Sequence, residues 1–237
     1  MEKHENLKTD YIHHQQSSVL KVLSEIVFGM QDGMVSTLGS VAGIAIGSGN
    51  HKTVILAGVV IIAVESISMG IGSYVSNRSE EEVDERKIAE EKEELHNNPE
   101  EEKIELHEMY VRDGWSQELA TQMVNEAASN HDLMLKEMMI RELKIAQEPE
   151  SLSVRGGIFM FFSYIVGGLV PLSSYIFLPI HSAIPTSIVI TLLGLFLLGV
   201  GTTRFTHQPK LKAGVRILIM GGIALCAGLI AGIMLGQ

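Results

Sequence analysis

The acidic residues of this chain are concentrated in one place. Of 28, 22 fall between Glu80 and Glu150, and the sequence on either side consists of apolar runs. Outside that stretch the only acids are Glu2, Glu5, Asp10, Glu25, Asp32 and Glu65. A net charge of −10 beside 46% hydrophobic residues therefore describes two unlike parts, each suited to its own solvent. A helix that crosses a bilayer needs about 20 apolar residues. Five runs reach that length, at about 22–46, 53–75, 156–178, 183–205 and 213–235. The expected fold is all-α: a polytopic membrane protein with five transmembrane helices and a three-helix acidic insert between spans two and three. The expected divisions are a tail over 1–20, spans one and two over 21–77, the insert over 78–153, and spans three to five over 154–237.

Basic residues orient such a protein, because loops rich in Lys and Arg stay in the cytosol. The tail holds Lys3, Lys8 and Lys21, and the loop after span four holds Arg204, Lys210, Lys212 and Arg216. The insert is rich in Lys and Arg despite its acidity. The turn after span one holds only Lys52, and Pro179–Ser182 holds none. The N-terminus and the insert are expected in the cytosol and the C-terminus on the far side. The polar start Met1–Gln16 has no short apolar core, so no secretory leader is expected. His13 and His14 are adjacent, do not share a helix face, and read as solvated tail. A single cysteine, Cys226, excludes an intrachain disulfide and a thiolate metal cluster. No basic stripe is present, which argues against a nucleic-acid partner.

The insert reads as helical. Its first piece, about 78–95, is rich in Glu, Lys, Arg and Ala and meets no breaker after Tyr74, so it should continue span two. Asn97-Asn98-Pro99 ends it. A second helix should reach about Val111, where Asp113-Gly114 signals a turn. A third should cover about 116–147, with further turns near Asn130 and Ser116 as N-cap.

Three residues in the apolar runs invite chemistry. A carboxylate at mid-membrane, here Asp32, costs roughly 2.5–3.5 kcal/mol on the insertion scale. Such groups face a bundle interior or a water path and mark ion or proton routes. Starting the span after Asp32 would leave 17 residues to Gly49, the short limit for a crossing. Glu65 and Met69 are i, i+4 and share a helix face, with Ser68 beside them. A hard oxygen with a soft thioether suits a borderline cation such as Fe²⁺ better than Mg²⁺ or Ca²⁺. Packing alone would explain Met69. Glu65 has no Lys or Arg in its span to neutralise it. In the insert, Glu91 and Glu94, Glu102 and Glu105, and Met138 and Glu142 are pairs at helical spacing. A solvated Glu/Lys face is the plain reading of these. Three helices converging on one or two cations is the other.

Taken in order, Asp32-Gly33, Ile67-Ser68-Met69-Gly70 with Tyr74 and Ser79-Glu80, the acidic insert, and Gly167-Gly168-Leu169-Val170-Pro171-Leu172 resemble the vacuolar iron transporter family. The likeness runs from about Leu23 to the C-terminus. It implies five spans, a homodimer with a metal path between the two first spans, and exchange of cytosolic Fe²⁺, often Mn²⁺, for protons. By position it implies Asp32 and Met69 as pore acid and pore thioether, and Glu91, Glu94, Glu102, Glu105, Met138 and Glu142 as the insert's metal ligands. Plant members carry their second-span acid two turns before Met69, where this chain has Ile61; its acid is Glu65. Glu65 is thus a third candidate for the path. The resemblance implies no prosthetic group and no enzymatic reaction, with Fe²⁺ or Mn²⁺ as bound and carried ions and the bilayer and protons as partners. The membrane would be the cell membrane of a prokaryote or the vacuolar membrane of a eukaryote. The competing reading is a membrane-anchored iron-binding or storage protein. A di-iron bundle would need Glu-x-x-His on two helices, and the insert has one match, Glu93 to His96.

Overall fold

The computed structural model describes residues 17–145, 153–206 and 208–235. The tail through residue 16, with His13 and His14, and the segment 146–152 lie outside the described residues. The described residues form eight helices: α1 (Ser17–Ser48), α2 (His51–Asn97), α3 (Pro99–Arg112), α4 (Gln117–Ala128), α5 (His131–Arg141), α6 (Ser153–Phe177), α7 (Ile180–Thr206) and α8 (Lys210–Leu235). They make two compact units, one of residues up to Val75 with those from Leu152 onward, the other Ser76–Ser151.

Four helices of the described residues, α2, α6, α7 and α8, are long and apolar enough to cross a membrane. The protein is thus all-α with several membrane-spanning helices. The sequence suggested five. The helix that falls short is α1, which has 32 residues but carries Gln31, Asp32, Ser36, Thr37 and Ser40 among its glycines. Its surroundings explain that composition. It packs against α6, α7 and α8, and small residues let such helices approach closely. A β-carbon on Gly33 would collide with the carbonyl of Tyr164 on α6, and one on Gly228 of α8 with the backbone of Gly39. Gly43 and Gly232 meet in the same way one turn further on, so α1 and α8 run parallel with their backbones in contact. Gly33, Thr37 and Gly39 of α1 are buried against protein, while Gln31, Asp32, Ser36 and Ser40 stay half-buried.

In the second unit, α2 runs unbroken to Asn97 and no residue before Asn98 interrupts it. Pro99 at the first turn of α3 needs no N–H there, and Glu100, Glu101 and Glu102 suit the positive end of that helix. The core is Leu95, Leu106, Met109, Tyr110, Ala120, Val124, Ala127, Met134 and Met138. The expected third helix over 116–147 is two helices. The Asn130 side chain accepts from the N–H groups of Asp132 and Leu133, capping α5 and ending any continuation from α4. The insert is therefore the end of α2 followed by three short helices, rather than three helices in all.

Candidate metal centre

The Asn98-Pro99 break turns the chain back, so that Glu91 near the end of α2 meets Glu102 in the first turn of α3. Glu142, the C-cap of α5, joins them. One carboxylate oxygen from each lies within 4.8 Å of the others. Glu91 is 2% exposed and Glu102 6%, while Glu142 is open to solvent. Glu91 Oε1 and Glu102 Oε2 are buried with no hydrogen-bond partner. Burial, then the charges of Glu142 and Glu102, push Glu91 from an ordinary 4.5 up to about 8. Burial, then Glu105 and Glu142, push Glu102 up to about 7. Glu142 is raised too, first by burial and then by Glu105. Carboxylates placed this way must hold protons or share a cation. Three oxygen ligands with one open side fit a divalent ion that keeps some water.

Glu94 and Glu105 are exposed, yet their charges reach the three-carboxylate group. Met138 is fully buried in the core, one turn before Glu142. Of the six insert residues singled out, the structure thus brings together three carboxylates, places two more within electrostatic reach, and puts the thioether in the apolar core. A clamp that the sequence did not signal holds α5. Arg141 pairs with Asp113 after α3 and donates from Nε to Glu137 at 3.0 Å. Its guanidinium lies 4.3 Å from the Tyr110 ring centre, and Tyr110 donates to Glu137 at 2.9 Å. These partners are up to 28 residues apart, beyond any helical spacing.

The raised carboxylates set a pH dependence. A group whose folded pKa exceeds its unfolded 4.5 keeps its proton in the fold after the unfolded chain has lost it, so stability falls as pH rises. Without metal, the second unit should lose stability from about pH 4.5 to about pH 8, the range bounded by the unfolded and folded values of Glu91. Trp115, the chain's one tryptophan, lies in this unit and reports it alone. Its thermal transition should move down between pH 5 and pH 8 in chelator. Saturating Mn²⁺ or Glu91→Gln should flatten the trend, and a transition that climbs with pH in chelator would contradict the assignment.

In the other unit, Asp32 is half-buried on α1, Glu65 is exposed on α2 and Met69 is half-buried one turn further on. The charge of Glu65 reaches Asp32, and both charges reach the buried Tyr164 of α6. Ser36 donates to the Asp32 carbonyl at 2.8 Å and shares a 2.5 Å hydrogen bond with the Tyr164 hydroxyl. Tyr164 belongs to this group, yet it is 128 residues from Ser36 and no local pattern pointed to it. Beside it runs a groove of about 680 Å³ floored by Ser36, Gly39, Ser40, Gly43 and Gly47 of α1, with Gly228 of α8.

The VIT family model matches residues 23–233. The vacuolar iron transporter 1 of Tulipa gesneriana is 30% identical over 224 residues, covering 94% of this chain and 90% of that protein. Vacuolar iron transporter 2 of Oryza sativa subsp. japonica is 31% identical over 209 residues, covering 87% and 85%. The vacuolar iron transporter of Plasmodium falciparum (isolate 3D7) is 28% identical over 223 residues, covering 90% and 82%.

Proposed function

The chain belongs to the VIT family, and from that premise we propose that it transports Fe²⁺, and Mn²⁺ as well, out of the cytosol in exchange for protons. The observation that carries this reading is the convergence of Glu91, Glu102 and Glu142 in a chain whose other unit bears apolar membrane helices and two interacting carboxylates. The second unit collects the cation. Because α2 contributes residues to both units, a bound ion stays tethered to the membrane part, which raises its effective concentration there.

α1 is the fifth span. At 32 residues it is about 48 Å long, more than a bilayer's hydrocarbon needs. Two chains pair through the small-residue groove, with the metal path between their first helices. Asp32 and Met69 take up the ion as it sheds water, and Glu65 or Asp32 returns the proton. A bound cation favours the ionised carboxylate and an empty, desolvated site the protonated one, which is the chemical basis of exchange. The N-terminus and the acidic unit face the cytosol and the C-terminus the far side, as the basic residues indicate. The carried ions are cargo, and the mechanism needs no prosthetic group or enzymatic step.

The test is Fe²⁺ and Mn²⁺ uptake by proteoliposomes under an imposed pH gradient. Wild type should show gradient-dependent flux. Asp32→Ala should abolish it, and Glu102→Ala/Glu105→Ala should weaken it at low metal while sparing it at saturating metal. Absence of flux under every gradient, with metal still bound to the acidic unit, would replace transport with storage.

A further inference from the structure

Of the three carboxylates in the candidate centre, Glu142 is the one its own element anchors least. Glu91 lies on the long helix α2 and Glu102 in the first turn of α3, and both are buried. Glu142 is exposed and caps the end of α5. That helix has 11 residues, and a helix shorter than about 12–15 residues is marginal by itself in water. Its ends are where it frays. The place of Glu142 must therefore be imposed by contacts beyond the helix.

Two such contacts flank it. Upstream, the half-buried Arg141 engages three groups at once. It pairs with Asp113, donates from Nε to Glu137 at 3.0 Å, and lies 4.3 Å from the Tyr110 ring centre. Tyr110, itself buried, closes the network by donating to Glu137 at 2.9 Å. Downstream, Lys144 has a φ of 60°, in the left-handed region. A residue other than glycine is uncommon there and persists where its surroundings fix it. Just past it, Ile145 donates its N–H to the Met139 carbonyl at 2.8 Å and buries its side chain.

The geometry across α3 shows what the upstream contact achieves. Asp113 follows the last turn of α3, whereas Glu102 is in its first. The two are 11 residues apart, roughly 16 Å along a helix. Arg141 reaches Asp113 and Glu142 comes to Glu102, although their own α-carbons are only about 3.8 Å apart. The end of α5 therefore lies across α3, with these adjacent side chains extended toward its opposite ends. Fixing one aims the other.

We propose that Arg141 is a positioning residue for the metal centre: held by Asp113, Glu137 and Tyr110, it sets the end of α5 so that the Glu142 carboxylate faces Glu91 and Glu102. Arg141 touches no ion itself. Its role rests on the reading of those three carboxylates as a metal centre. Charge alone predicts the opposite effect. A guanidinium one residue from a ligand repels a dication, so removing it should tighten binding. Lysine would not replace it, because an ammonium is a point charge without the planar fork that engages two carboxylates and a ring together.

Mn²⁺ binding to the full-length protein in detergent tests this, with free Mn²⁺ counted by its EPR signal. Glu91→Gln marks which bound ion belongs to the three carboxylates. Arg141→Met and Glu142→Gln should each weaken binding of that ion by about 10–100-fold, the loss typical when the group orienting a ligand is removed. The double variant should bind no more weakly than Glu142→Gln alone, because Arg141 acts through that carboxylate. Pulsed EPR in D₂O should find one more water on Mn²⁺ in Arg141→Met than in wild type, as in Glu142→Gln. Asp113→Asn, at an exposed position outside the centre, should move affinity and water count the same way. Losses that multiply in the double variant, with a wild-type water count in Arg141→Met, would reduce Arg141 to general support of the fold. Unchanged or tighter binding in Arg141→Met overturns the proposal, as it does in Asp113→Asn should Arg141→Met not fold. A wild type whose Mn²⁺ binding is untouched by Glu91→Gln would sink the metal centre itself, and the role of Arg141 with it.

Discussion

Replacing Gly228 by leucine should leave no monodisperse protein to recover from the membrane. Its β-carbon would fall onto the backbone of Gly39, which cannot turn away as the tip of a side chain can. Overpacking a core ordinarily costs about 1–3 kcal/mol because neighbours shift their rotamers. Here α1 and α8 would have to separate along the Gly39, Gly43, Gly228 and Gly232 seam, and every contact beyond it would open. A cost above about 4–5 kcal/mol belongs to such cases. Gly222→Leu is the matched control on the same helix, since nothing lies within 4 Å of a β-carbon there. Fluorescence-detected size-exclusion profiles should show the control near wild type and Gly228→Leu absent or aggregated. Equal profiles would mean that the two helices do not meet as described.

Glu102→Ala should weaken metal binding by the acidic unit by about 100-fold or more, since loss of a group that merely orients a ligand already costs 10–100-fold. The same substitution should raise the thermal transition of the metal-free unit at pH 8. Glu102 is buried, repelled by Glu105 and Glu142, and held up to about 7, so its ionised form is a liability until a cation arrives. Gain of stability with loss of affinity is the signature of a ligand, whereas a residue that only supports the fold loses both. Glu100→Ala is the comparison. It lies in the same turn but is exposed and paired with Lys103 at 2.6 Å, a contact worth at most about 1 kcal/mol. Mn²⁺ titration followed by Trp115 fluorescence distinguishes the two. Wild-type affinity in Glu102→Ala would remove this residue from the site.

Length and charge segregation carried most of the architecture. The runs over 53–75, 156–178, 183–205 and 213–235 correspond to α2, α6, α7 and α8, because apolarity and bilayer length are local properties. The continuity of α2 past the membrane followed from the absence of a breaker between Tyr74 and Arg86. The third insert helix was read too long because the helix-forming composition of 116–147 outweighed one Asn. The Asn130 cap depends on a side-chain geometry that a run of residue types does not display. In the candidate site, i, i+3 pairing pointed to Glu91, Glu94, Glu102 and Glu105 but could not say which of each pair turns inward. Glu91 and Glu102 do so because Leu95 and Leu106, one turn from each, enter the core on the same face. The Tyr110–Glu137–Arg141–Asp113 clamp and the Ser36–Tyr164 contact join distant positions and were out of reach of spacing arguments.

The central placement of α1 bears on how the protein is made. The ribosome delivers this helix before α2 and α6–α8, yet by composition it is the weakest of them for partitioning into lipid, with Asp32 in its path. The helices it packs against, α6, α7 and α8, emerge more than 100 residues later, after the whole acidic unit has been synthesised. Until then α1 has no partner among them for its glycine seam. On the proposed five-span reading, the helix that packs against α6, α7 and α8 is thus the last to gain its partners.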